Sequence, residues 1–223
     1  MIDKCLSRLV ALTQSNEHQL VYHAAWAFKN LTHNYNLSSE DRMQILRKFP
    51  WPHVRALMHH PDNSVQASAL TFIQNVCSSD RDSIENVMEW SQPELLDVIS
   101  EKLSHLEECS PPVVAASLRV VSNISTGNAG QQAAVMDSGI PAQLLQCLRD
   151  DRCEHIRCAA AWCVINLIWR DELPLANECG DEARARAATL RALGIEAELK
   201  TMQGDASLDV RERVRTALGF FSV

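Results

Sequence analysis

The chain has 223 residues, 46% hydrophobic, 5% aromatic and 22% charged, with 7 Gly and 8 Pro. That length allows an ample core, and the scarcity of Gly and aromatics disfavours an all-β fold and points to an all-α one. Its 21 basic and 28 acidic residues leave a net charge of −7 without a basic stripe, which argues against nucleic-acid binding.

In chain order, the first helix is expected over Ile2-DKCLSRLVALTQ. It reads as the middle helix of a three-helix unit whose opening helix is missing, as in a piece of a longer solenoid with apolar surface bare at that end. No run reaches the roughly 18 apolar residues of a membrane span, and the N-terminus lacks a signal-peptide layout, so a soluble, intracellular protein is expected.

A segment type then recurs. It runs from Leu20 to Asn30-Leu31, Val65 to Asn75-Val76, Val113 to Asn123-Ile124 and Ile156 to Asn166-Leu167, with Asn-to-Asn intervals of 45, 48 and 43 residues. Periods of this size are those of armadillo or HEAT arrays. A fifth copy from Val210 places Phe220 where the Asn would stand and reads as a terminal cap.

Aligned on the Asn, two columns fall on one helical face. Phe28, Ile73, Val121, Val164 and Leu218 stand two positions before it, and Ala24, Ala69, Ser117, Ala160 and Val214 stand six before. Both are expected in the core, the small residues letting helices approach. The repeat helices are expected near 20–32, 65–77, 113–125, 156–169 and 208–222 of a single domain spanning 1–223.

Between copies, Gly139 suits a left-handed stop and Pro141 the first turn of a following helix, a step repeated at Leu193-Gly194-Ile195. Three helices per unit favour armadillo over HEAT. Residues 170–181 (RDELPLANECGD) stretch the interval from Ile156 to Val210 to 54 residues and are expected to form an exposed loop.

The recurrent Asn carries the functional reading, since Asn is an indifferent residue inside a helix. Its amide can donate and accept, and so can pair with the backbone of an extended peptide. Four residues earlier, on the same face, stand Trp26, Thr71, Arg119 and Trp162. The two Trp could clasp a partner's side-chain stems. The expected partner-binding set is therefore Trp26, Asn30, Thr71, Asn75, Arg119, Asn123, Trp162 and Asn166. Trp26/Asn30 and Trp162/Asn166 stand foremost. The competing reading is structural: such an Asn can bond a neighbouring carbonyl and fix the stacking of units. If the residues serve binding alone, replacing Trp162 and Asn166 by Ala weakens capture and leaves melting nearly unchanged.

Cys153, Cys158 and Cys163 with His155 superficially resemble a metal cluster, but two of these thiols fall in a packed repeat helix and no second C-x-x-C half follows. All eight cysteines are read as reduced core thiols. His59-His60 reads as a solvated turn and His23 as a groove edge. Sequons at Asn30, Asn36 and Asn123 carry no weight outside the secretory pathway. No phosphate loop or nucleophile elbow is present, so no catalysis, metal or cofactor is expected.

The motif AAWxxxNL at Ala24–Leu31 and Ala160–Leu167 resembles the third helix of armadillo repeats. The run from Cys158 (CAAAWCVINLIWRDE), the insertion, Leu193-Gly194-Ile195 and the final Val214-RTAL resemble the C-terminal part of the armadillo repeat-containing protein 8 family, the armadillo subunit of GID/CTLH ubiquitin ligases. The resemblance implies an all-α armadillo solenoid of about four to five repeats. It also implies a non-catalytic scaffold in cytoplasm and nucleus that recruits the ligase's substrate receptor to its core subunits, by an extended peptide in a concave groove, for regulated protein degradation. An importin-α-like or catenin-like peptide adaptor is the alternative. An importin-like adaptor would carry a basic autoinhibitory segment and Trp at most rungs, and this sequence has neither. A hydrolase decorated with helical repeats would need a nucleophile and base in one cleft.

Overall fold

The computed structural model describes residues 2–33, 37–78, 80–91, 94–169 and 177–222, apart from the side chains of 2, 3, 39 and 177–180. Among these residues there are fourteen α-helices, one 3-10 turn and no strand. The chain divides into two compact units, Met1–Leu95 and Leu96–Val223.

In the first unit, α1 (Ile2–Leu12) and α2 (His18–Thr32) form a pair, followed by the triad α3 (Ser39–Lys48), α4 (Trp51–Met58) and α5 (Asn63–Cys77) and by α6 (Arg81–Ser91). Helix α2 packs against α5. Local chemistry sets the starts. Ser38 and Asp41 form a reciprocal capping box at α3, and the Asp62 carboxylate accepts from the Ser64 N–H at 2.7 Å at α5, each satisfying an otherwise orphaned donor. The core is aromatic: Phe28 stacks on Phe49 at 4.1 Å between centroids, and Phe72 meets both edgewise or tilted at 5.9 and 5.5 Å. Trp90 lies edge-on to Trp51 at 5.3 Å, and its indole N–H donates to the Phe49 carbonyl at 3.0 Å, so the half-buried ring has its one donor satisfied.

The second unit begins within α7 (Glu94–Ser104) and continues through α8 (Pro111–Ile124), the triad α9 (Ala129–Asp137), α10 (Ile140–Leu148) and α11 (Glu154–Ile168), and the triad α12 (Asn177–Ala192), α13 (Ile195–Thr201) and α14 (Leu208–Phe221), with a 3-10 turn at Met202–Gly204. Helix α11 packs between α8 on one side and α14 on the other. The glycine steps are as expected: Gly139 (φ 80°) and Gly194 (φ 85°) are left-handed at the entries to α10 and α13, and Pro141 lies in the first turn of α10. Only Gly adopts this conformation without a steric penalty.

The repeat helices begin up to two residues earlier than expected, at His18, Asn63, Pro111, Glu154 and Leu208. Both aligned columns are buried, with one correction: Leu218 is half-exposed, because the inward face of α14 is carried by Val210, Val214, Ala217 and Phe221. Of the expected loop 170–181, residues 170–176 lie outside the described residues. The remainder is corrected, since Asn177–Asp181 already belong to α12, whose Ala- and Arg-rich continuation favours helix. Asn36 and Arg170 also lie outside the described residues.

The cysteines are free where described, but the expectation of uniformly core thiols needs correction. Cys77, Cys147 and Cys163 are buried, Cys109, Cys153 and Cys158 half-buried, and Cys5 exposed. Burial pushes the Cys77 and Cys147 thiols up to about 12, and that of Cys163 well above its ordinary value.

Candidate functional site: the third-helix face

The side chains expected to bind a partner sit on α2, α5, α8 and α11, the third helices of their repeats. In the first unit, Trp26 is 49% exposed and Asn30 is exposed. Thr71 is half-buried and its hydroxyl donates to the Ala67 carbonyl one turn back at 2.7 Å, so its proton is already engaged. Asn75 is 7% exposed, and its Nδ2 donates to the Lys29 carbonyl at 3.0 Å, with the Thr32 hydroxyl at 3.5 Å.

In the second unit, Arg119 is exposed, Asn123 half-buried and Trp162 38% exposed. Asn166 directs Nδ2 at the Ser122 carbonyl at 2.9 Å and the Ser122 hydroxyl at 3.0 Å. Asn75 and Asn166 therefore make one and the same contact: each donates to the carbonyl of the residue just before the preceding repeat's Asn. The structural reading of these two amides holds, because both N–H groups of each are directed at the neighbouring third helix. What each amide has left beyond these donations is Oδ1, a hydrogen-bond acceptor.

This register is reinforced deeper in the second unit. The Cys163 thiol donates to the Leu118 carbonyl at 3.1 Å, which sets α8 against α11 with an offset matching the Asn166–Ser122 contact. At the helix ends, first helices supply donors to carbonyls that the third helices leave without intrahelical partners. The Gln132 amide reaches the carbonyls of Ser125 (3.0 Å) and Asn166 (3.4 Å), the buried Arg186 reaches that of Leu167 (2.6 Å), and Arg191 reaches that of Phe221 (3.0 Å).

Ion pairing tightens the joint between the last two repeats. The Arg157 guanidinium forks onto both oxygens of Asp205 at 2.7 and 3.0 Å and also donates to the Asp150 carbonyl at 2.9 Å. The hydrogen bonds from Arg157 hold the Asp205 carboxyl below its ordinary value despite the opposing effect of burial. Arg152 clasps Asp150 in the same region, at 2.6 Å. Such bidentate, part-buried pairs outweigh exposed ones.

Two further contacts were not anticipated from sequence. Arg213 on α14 lies over the Trp162 ring, 4.5 Å from its centroid, and Trp169 meets Phe220 at 5.0 Å. Arg213 stands seven residues before Phe220, where helical spacing aims it at the Trp of the preceding repeat, but that signal needs the inter-repeat offset. His23 is exposed, as expected; His60 is drawn into a small cluster, stacking on His18 at 5.6 Å while His18 contacts Asp62 at 3.0 Å. Among the described residues no group of three or more His, Cys, Asp or Glu is arranged to hold a metal ion, and no helix is long and apolar enough to cross a membrane.

No protein-family model matches the chain. It is 23% identical over 210 residues to Armadillo repeat-containing protein 8 of Danio rerio, a likeness covering 94% of this chain and 29% of that protein. It is 26% identical over 142 residues to Importin subunit alpha-1a of Oryza sativa subsp. japonica, covering 63% of this chain and 25% of that one. The chain thus spans under a third of the length of either relative. Among solved structures, a designed armadillo repeat protein in complex with the peptide (KR)4 matches 97% of this chain and 81% of its own, with a TM-score of 0.79 and 21% identity. A computationally designed armadillo repeat protein for modular peptide recognition matches 97% and 99%, with a TM-score of 0.64 and 19% identity. The chain therefore has the armadillo-type repeat fold and is similar, over nearly all its length, to a part of Armadillo repeat-containing protein 8.

Proposed function

We propose that this chain is a non-catalytic scaffold that holds an extended segment of a partner protein along the third-helix faces of its repeats. Within that reading it serves a GID/CTLH-type ubiquitin ligase in cytoplasm and nucleus, recruiting the substrate receptor for proteasome-dependent degradation. The observation that carries the reading is the shared register of Asn75 and Asn166. Within each unit the Asn donor locks adjacent third helices together, and an exposed Trp stands on one of those helices, Trp26 in the first unit and Trp162 in the second. Likeness to Armadillo repeat-containing protein 8 over 94% of the chain supports the ligase assignment.

Trp26, Asn30, Thr71, Asn75, Arg119, Asn123, Trp162 and Asn166 remain the proposed contact set, with Trp26 and Trp162 its exposed aromatic members. Exposed Trp side chains amid well-packed surroundings are the residues that dominate binding energies. Affinity purification of the chain from cells, followed by mass spectrometry, is expected to recover RING-type and receptor ligase subunits, and recovery should fall with Trp162→Ala. Failure to recover them overturns the ligase assignment.

The second reading, an importin-α-like adaptor, is favoured by the likeness to Importin subunit alpha-1a. It requires recovery of transport receptors and binding of basic localisation peptides.

A further inference from the structure

We propose that the third-helix face of the second unit selects an acidic segment of extended peptide, one carboxylate of which is received between Arg119 and Arg213 beside Trp162. This rests on the reading of that face as the peptide-binding one and adds the chemistry of the peptide.

Three observations converge. Arg213 lies over the Trp162 ring, its Cζ 4.5 Å from the centroid, and its Nε is buried without a hydrogen-bond partner. A guanidinium held over an aromatic face is positioned by the ring without using up its N–H donors. Arg119 is exposed on α8. The Leu118–Cys163 and Ser122–Asn166 bonds set α8 beside α11 so that Arg119 stands level with Trp162 on the side away from α14. Neither arginine forms an ion pair with any described residue, whereas Arg157, Arg149 and Arg191 in the same unit each have a carboxylate partner.

Electrostatics within α11 agree with this placement. Burial raises the Cys158 thiol, and the charges it senses are Arg213 and Arg119, which lower it, against Asp209 and Glu154, which raise it. Those two carboxylates occupy the first turns of α14 and α11, where exposed backbone N–H groups already favour negative charge. The two arginines therefore remain the uncommitted charges beside the exposed ring. An unpaired, preorganised guanidinium recognises a carboxylate through short charge-assisted bonds. It also repels the basic side chains that the designed armadillo repeat protein accepts in (KR)4.

The test uses the full chain and three labelled peptides of equal length in fluorescence polarisation: alternating Glu–Asp, alternating Ser–Gln, and (KR)4. Preference for the acidic peptide by about tenfold or more over (KR)4, weakening as salt rises, is expected. Arg213→Gln and Arg119→Gln should each reduce acidic-peptide binding several-fold, and the double charge reversal R119E/R213E should shift preference toward (KR)4. Arg215→Gln, which removes a guanidinium already paired with Glu212 at 3.0 Å, should change little. Circular dichroism of each variant separates loss of binding from loss of fold. Equal or tighter binding of the neutral or basic peptide overturns the charge assignment while peptide binding itself stands. Binding of none of the three overturns both.

Discussion

The Asn166 side-chain amide donates to both the carbonyl and the hydroxyl of Ser122, at 2.9 and 3.0 Å, joining two third helices that are 44 residues apart in sequence. A polar side chain recurring on an outer helical face thus has a stacking duty before any partner arrives. Its loss is a matter of stability as well as of binding.

Asn166→Ala is expected to cost about 1–2 kcal/mol in urea unfolding, since it removes two hydrogen bonds at a part-buried joint. Asn166→Asp should cost more near neutral pH, because a carboxylate would face the Ser122 carbonyl, and part of that cost should vanish in acid as the group protonates. Trp162→Ala should also lower the melting temperature, since the residue is only 38% exposed and its ring carries Arg213 at 4.5 Å. The combined Trp162 and Asn166 replacement is therefore expected to lower stability, unlike the neutral outcome that a purely partner-facing Asn would give. Equal stability of the single Asn166 variants and the parent would count against the stacking role.

The Arg157–Asp205 pair supplies a pH signature. With Arg157 holding the Asp205 carboxyl below its ordinary value of 3.8, the folded state binds this proton less readily than the unfolded one. The stabilisation is therefore fully present above the unfolded carboxylate value and is lost as pH falls from about 4 through the depressed folded value. Asp205→Asn should lower stability at pH 7 by about 1–3 kcal/mol and flatten this part of the acid limb. An unchanged limb in denaturation measured from pH 7 to pH 2 would refute the assignment.

Gly139→Ala and Gly194→Ala should each destabilise by about 1–2 kcal/mol, the cost of forcing an L-residue into the left-handed region. A clash is not the cause, since a Cβ would meet only Ser100 Oγ at 3.6 Å or Leu145 Cδ2 at 3.9 Å. Asn at either position should be milder, being more tolerant of that conformation. Thermal melts followed by circular dichroism give the comparison.

Among the described cysteines, thiol labelling under native conditions should mark Cys5 first and leave Cys77, Cys147 and Cys163 unmodified until the chain unfolds. The buried thiols are both inaccessible and far above neutral pH in their ionisation, with Cys77 and Cys147 at about 12, while the thiolate is the reactive form. Rapid native labelling of Cys163, mapped by mass spectrometry, would contradict the Leu118 contact.

Much of this was legible in the residues alone. Helical period, the ten-residue step from aliphatic to Asn, and the Gly139 and Gly194 stops are local features. A helix face or a left-handed φ depends on near neighbours in the chain, so five repeat helices and the buried columns could be read directly. The exception, Leu218, shows the limit: its position matched the column, but which face of α14 turns inward is set by the packing against α11.

What the tertiary structure alone decided is where each polar group finds its partner. The sequence placed Asn75 and Asn166 on a shared register and left two destinations for their amides, a peptide or a neighbouring helix. The carbonyls of Lys29 and Ser122, some 45 residues upstream, settle that choice for the N–H groups. The Arg213–Trp162 stack, the Arg157–Asp205 fork and the hydrogen bond from Trp90 to Phe49 likewise join residues about 41 to 51 positions apart. Pattern fixes orientation about a single helix axis, whereas these contacts depend on the offset between helices. That offset emerges only when whole surfaces pack together.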